Sequence, residues 1–162
     1  MHLALTKKQH VDHTKSQHQL YQTALLAHHK HPVGFELAIN ADASYEGVNP
    51  ACGDEITVSC EIKHQGELSV IKAIAFHGDS CAICRASASI MCQEAQGITL
   101  VEAMLMAQQL TGALSTNISM IGELAEQFSP LLMIQQFPVR KQCALLPWNT
   151  LMETLKCLQD QP

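Results

Sequence analysis

Three cysteines and one aspartate in this chain have the types and neighbours that metal chemistry needs. Asn49-Pro50-Ala51-Cys52-Gly53-Asp54 sets a thiol and a carboxylate two residues apart. Gly53 between them permits the tight backbone that brings both side chains to one centre. Cys81 follows the loop His77-Gly78-Asp79-Ser80 and is expected at the first turn of a helix. Unpaired N–H groups and the helix dipole at such a position favour thiolate over thiol. Cys143 follows closely on Arg140 and Lys141, whose charges again favour thiolate, and Pro138 and Pro147 bracket it. Cys52, Asp54, Cys81 and Cys143 together make three thiolates and a carboxylate, the right number of donors for a tetrahedral site, although spacing alone is weak support for pairing ligands so far apart in the chain. A bound dication leaves that set with excess negative charge, and Arg140 and Lys141 are the obvious countercharges.

Other thiols compete for the role. Taken singly, Cys81 also reads as a small helix-start residue, and Cys143 as a buried neighbour of Ala144 and Leu145. Cys92 returns to the helical face of Cys81 about 16 Å further along, too far to share a metal, so it is assigned to packing. Cys81-x-x-Cys84 at a helix start also has the form of a dithiol redox motif. The preceding elements form a hairpin, however, and not the βαβ unit that usually leads into one. Cys60 falls on the inward face of a strand and is assigned to the core, and Cys157, in the last helix, is read as inert. Seven cysteines form no regular disulfide framework, which suits buried thiols and metal chemistry in a reducing compartment.

The elements that must position these residues follow from periodicity. Residues 1–15 are expected to be a loose polar arm, and 16–160 a single domain. A helix over 16–29, with Leu20, Ala24, Leu25, Leu26 and Ala27 on its apolar face, should end before Pro32. Seven of the nine histidines precede Pro32; a solvated arm and helix explain them more simply than a metal-binding tail does. A short strand over Ser44–Val48 leads into the Cys52 segment. Ile56, Val58, Cys60 and Ile62 alternate with polar residues, as in a half-buried strand. After a turn at His64–Glu67, Leu68–Phe76 completes an antiparallel hairpin.

Cys81–Gln96 reads as a helix stopped by Gly97. Thr99 and Glu102 form a capping box for a helix over Leu100–Gly112. One or two short helices are expected over 115–137, with Pro130 near the start of the second. A final helix should begin after Pro147, with Trp148, Leu151, Leu155 and Leu158 as its apolar stripe. The class is α+β: a small three-stranded antiparallel sheet packed against several helices.

With 162 residues the chain is long enough to bury a core unaided. A net charge of −5 argues against nucleic acid as a partner. No apolar run approaches a membrane span. No secretory signal is legible near Met1, so a cytoplasmic location is expected.

Three motifs, each carrying one cysteine, occur in order: Asn49-Pro-x-Cys-Gly-Asp54, then Phe76-x-Gly-x-x-Cys81 followed by Ala86-Ser-Ala-Ser89, then Phe137-Pro-x-Arg-x-x-Cys143. They resemble those of the U-type iron–sulfur cluster assembly proteins: IscU, the N-terminal domain of NifU, and SufU. The likeness runs from about Leu20 to Leu155 and includes Tyr21 and the His28-His29-Lys30-x-Pro32 segment. It is strongest with SufU. An extra stretch around residues 112–130 separates Cys81 from Cys143, and Gln142 stands where IscU-type proteins carry histidine. Cys84, Arg85 and Ser80 depart from the usual pattern of the family.

The resemblance implies the α+β fold and a metal, most often zinc, held by Cys52, Asp54, Cys81 and Cys143. It implies that Cys52 accepts persulfide sulfur from a SufS-type cysteine desulfurase, with Arg140 in a supporting or partner-contacting role. The chain would then be at most a sulfur-transfer partner of that enzyme. The alternative it carries is a scaffold that assembles a transient [2Fe–2S] cluster on the same thiolates and passes it to apoproteins.

Overall fold

The computed structural model describes residues 2–116 and 126–161, with side chains from Ser16 onward. Helix α1 runs from His2 to Lys30, whereas the sequence reading expected a loose arm up to residue 15. No glycine or proline occurs before Pro32, and Leu, Ala, Lys and Gln in the early turns propagate a helix well. The helix ends where expected. His31 N–H closes the last turn on the Ala27 carbonyl at 2.9 Å, and His28, His29 and Lys30 set basic groups at the negative pole of the dipole. Its apolar face is narrower than the sequence suggested: Leu25 is buried, while Leu20 and Leu26 are exposed.

Strands β1 (Ala43–Asn49), β2 (Asp54–Gln65) and β3 (Leu68–His77) form an antiparallel meander in the order β1-β2-β3. Ile56, Val58 and Cys60 of β2 point into the core as the alternation requires. A register shift between Glu61 and Ile62 leaves Ile62 only half-buried. Gly66, at φ +64°, makes the two-residue turn into β3.

Helix α2 (Ala82–Ala95) packs between α1 and α5 (Pro138–Gln159), and α5 lies across β1 and β2. Helix α3 (Leu100–Ser115) opens with the expected capping box: Thr99 Oγ1 accepts from Glu102 N–H, and the Glu102 carboxylate accepts from Thr99 N–H. Thr99→Ala is expected to cost about 1 kcal/mol, read as a lower urea midpoint with an unchanged slope. Beyond α3 come a 3₁₀ turn (Glu126–Phe128), the short α4 (Ser129–Leu132) with Pro130 in its first turn, and a second 3₁₀ turn (Met133–Gln136). Part of the expected helical stretch over 115–137, and of the extra 112–130 segment, lies outside the described residues.

The final helix does not begin after Pro147. It starts at Pro138 and continues through Pro147, which is buried within it. Trp148, Leu151 and Leu155 supply the anchoring force, each fully buried. Their burial outweighs the cost of one interior proline, about 3 kcal/mol.

Ser89 ties α2 to the end of α1. Its hydroxyl oxygen accepts from Val33 N–H at 2.8 Å and lies 2.7 Å from His28 Nδ1. Burial lowers the His28 pKa below its ordinary 6.5, partly offset by the Glu94 carboxylate. The unfolded chain therefore binds this proton more readily, so stability falls as pH drops through 6.5 toward the lower folded value. Urea midpoints of wild type should decline between pH 7.5 and 5.5 more steeply than those of His28→Asn; parallel declines would remove His28 from the account.

Candidate metal centre

Cys52 occupies the turn that joins β1 to β2. Asn49 and Asp54 are paired across the hairpin, and Cys52 N–H closes the turn on the Asn49 carbonyl at 3.3 Å. Gly53 takes φ +70°, and nothing approaches within 4 Å of where its Cβ would stand. Asp54 is the first residue of β2 and is only 1% exposed. Burial of a carboxylate is tolerated when its oxygens are bonded. Here Oδ1 accepts from Cys81 N–H at 2.7 Å, leaving Oδ2 3.8 Å from Cys81 Sγ.

Cys81 is the N-cap of α2, and its sulfur accepts from Cys84 N–H at 3.4 Å. Gly78 brings this loop down onto β2. Its φ of +127° is one that side-chain-bearing residues rarely adopt, and Glu55 N–H bonds to the Asp79 carbonyl at 2.8 Å.

Cys143, in the second turn of α5, completes the group. Its Sγ stands 3.0 Å from Cys52 Sγ and 3.9 Å from Asn49 Nδ2. One donor atom each from Cys52, Asp54 and Cys143 lie within 4.8 Å of one another. Zn–S bonds of about 2.3 Å and Zn–O bonds of about 2.0–2.2 Å place the donors of a tetrahedral ion within about 4 Å of each other. The arrangement fits such an ion after small side-chain movements. Cys81 stands at the edge of this group, against Asp54. Soft thiolates with one carboxylate suit zinc or iron–sulfur chemistry better than magnesium or calcium.

The electrostatics differ from expectation at Cys143. Its thiol is pushed above the ordinary range, first by burial and then by its bond to Cys52. Desolvation outweighs the nearby cations because Cys143 is 4% exposed, whereas Arg140 is exposed with its guanidinium over the Phe137 ring, 5.2 Å from the centroid. Among the described residues neither Arg140 nor Lys141 forms an ion pair. Arg140 instead lines a cavity of about 360 Å³ with Leu25, His29, Ile83, Met133 and Phe137.

Of the remaining thiols, Cys157 is half-buried on α5, and Cys84 lies close enough to Asp54, Cys81 and Cys52 for their charges to add to the rise in its pKa. Cys60, Cys84 and Cys92 are fully buried; burial pushes Cys60 up to about 12 and raises Cys84 and Cys92 as well. A fully buried, protonated Cys84 is poorly placed to exchange with a second thiol. Neither the Asn49 amide beside Cys143 nor the structural role of Gly78 was singled out in the sequence, although both residues lie inside the quoted motifs.

Residues 20–128 match the NifU-like N-terminal domain family. The chain is 32% identical over 120 residues to the iron–sulfur cluster assembly scaffold protein IscU of Thermotoga maritima, covering 68% of this chain and 75% of that one. It is 28% identical over 136 residues to the zinc-dependent sulfurtransferase SufU of Bacillus subtilis, covering 82% and 86%. Its fold superposes with a TM-score of 0.66 on the crystal structure of a putative iron–sulfur cluster assembly scaffold protein for the SUF system from Fervidobacterium islandicum. That match has 28% identity and covers 82% of this chain and 93% of the other. No helix among the described residues is long and apolar enough to cross a membrane. With the family matched over most of its length and the ordered cysteine motifs gathered at one end of the sheet, the chain belongs to the U-type iron–sulfur cluster assembly proteins, the family of the NifU-like N-terminal domain.

Proposed function

We propose that the protein acts as a SufU-type sulfur acceptor. Cys52, Asp54, Cys81 and Cys143 hold zinc, and Cys52 receives persulfide sulfur from a SufS-type cysteine desulfurase. The observation that carries this reading is the unequal freedom of the four residues. Asp54 and Cys143 are buried, and Cys81 is held by its backbone bond to Asp54. Cys52 is half-buried on a hairpin turn with open space beside Gly53. Bound zinc would supply thiolate character at neutral pH, at Cys143 against the burial that pushes its thiol up.

The transfer itself needs only the chain's own thiolate and the partner's persulfide. Cys52 sulfur attacks the outer sulfur of the desulfurase persulfide, and the S–S bond breaks. The electron pair stays with the desulfurase cysteine, which leaves as thiolate. Cys52 then carries the persulfide, and no external oxidant or reductant is consumed. Arg140, exposed at the start of α5 and resting on the Phe137 ring, is suited to contact carboxylates on the partner.

Incubation with a cysteine desulfurase and cysteine, followed by alkylation and peptide mapping, is expected to find one added sulfur atom on Cys52. Sulfur on Cys81 or Cys143, or on no cysteine, overturns the assignment. The similarity to an IscU scaffold keeps one second reading, the [2Fe–2S] scaffold, since three thiolates and a carboxylate also suit a cluster. Anaerobically purified protein with stoichiometric zinc and no visible absorbance supports the acceptor. Iron with acid-labile sulfide supports the scaffold.

A further inference from the structure

Pro147 creates a weak point in α5 four residues after Cys143. It lacks the N–H that the Cys143 carbonyl would accept, and its ring crowds that carbonyl. The turn carrying Cys143 thus has one bond fewer to the turn after it, although α5 is continuous through Pro147, and a contact from outside α5 can reinforce that join. Ser87, fully buried on α2, sits where that is done. Its hydroxyl donates to the Ala144 carbonyl at 2.7 Å and accepts from Trp148 Nε1 at 3.1 Å. One oxygen therefore bonds to a residue on each side of Pro147. Both bonds are buried, where a hydroxyl without partners is costly and a paired one holds its geometry firmly. The same helix has Cys81 as its N-cap, about 9 Å along the axis from Ser87.

We infer that Ser87 is the positioning residue for Cys143. It staples α5 across the Pro147 break and holds the Cys143 turn in the frame of α2, so that Cys143, Cys52 and Asp54 converge with Cys81 beside them. This rests on the reading of Cys143 as a metal ligand, and the test separates the two claims.

The probe is Co²⁺ alone, bound to metal-free full-length protein. The readouts are its thiolate charge-transfer and d–d absorption bands and its dissociation constant by chelator competition. Ser87→Ala is expected to weaken Co²⁺ binding about tenfold or more and to shift the d–d bands, as loss of a residue supporting a ligand does. Ser87→Thr, which keeps the hydroxyl, should bind within about threefold of wild type. Thr154→Val is the structural control. It removes another buried hydroxyl of α5, which bonds to the Val58 and Thr150 carbonyls, and should lower the melting temperature without altering Co²⁺ affinity or bands.

If Ser87→Ala loses stability but binds Co²⁺ as wild type does, the positioning role is overturned. The ligand reading still stands provided Cys143→Ala weakens binding. If Cys143→Ala leaves affinity and charge-transfer intensity unchanged, Cys143 is not a ligand and the ligand reading and the positioning role fall together. The double variant Ser87→Ala/Pro147→Ala keeps the inference testable should Ser87→Ala not fold. With the N–H restored at position 147 the staple is redundant, so Co²⁺ affinity should match that of Pro147→Ala. A tenfold deficit there overturns the stapling mechanism.

Discussion

Replacing Cys52 by alanine is expected to abolish stimulation of a cysteine desulfurase while leaving the metal-free fold within about 0.5 kcal/mol of metal-free wild type. The separation of the two effects comes from location. Cys52 is half-buried on the β1–β2 turn, and the backbone bond from its N–H to Asn49 survives side-chain truncation. The acceptor sulfur is lost outright, and no neighbouring thiol is free to replace it. Cys143 is buried, and Cys81 is fixed between Asp54 and the first turn of α2. Alanine production by the desulfurase, followed with and without each variant, checks the expectation. Undiminished stimulation by Cys52→Ala would take the acceptor role away from this residue.

Gly78→Ala should be among the most destabilising single changes outside the hydrophobic core. A Cβ at this position would overlap the Glu55 carbonyl oxygen and stand 3.0 Å from both the Glu55 carbonyl carbon and Ile56 Cα. Those atoms are strand backbone, paired with β1 at Glu55 and Ile56 and tied to the loop by the Glu55 N–H bond to Asp79, so they have little room to give. The φ of +127° adds strain for any residue with a side chain. Overpacking and backbone strain together are expected to cost about 3–5 kcal/mol. The loop carrying Cys81 must then lift from β2, breaking the bond from Glu55 N–H to Asp79. Chemical unfolding should show the lower midpoint, and metal content per folded molecule should fall with it. A midpoint close to that of wild type would show that the loop can shift without cost.

The sequence carried the local geometry of the site well and its long-range clamps poorly. The β2–β3 hairpin follows from the alternation of Ile56, Val58 and Cys60, and the start of α3 from Thr99 and Glu102, because those signals lie within a few residues of what they specify. Cys52, Asp54, Cys81 and Cys143 could be gathered from sequence only through three ordered motifs; spacing alone leaves Cys84, one helical turn from Cys81, as a rival. Pro147 misled because a proline normally ends a helix, and the compensating burial of Trp148 and Leu151 becomes visible only when α5 is packed. Arg140 misled for a related reason. Proximity in sequence to Cys143 suggested thiolate, but exposure of the cation and burial of the thiol reverse the balance.

The donors proposed for the centre come from three separate stretches of chain: the β1–β2 turn, the start of α2 and the second turn of α5. A ligand that spans them binds the folded chain and has no counterpart in the unfolded one, so its binding free energy adds to folding stability by mass action, about 2.7 kcal/mol at a hundredfold excess over the dissociation constant. The melting temperature thereby becomes a gauge of loading. Amide hydrogens at Cys81, Cys84 and the first turns of α5 should exchange more slowly when the centre is filled and faster when it is stripped, while those of the β2–β3 turn at Gly66 should be indifferent.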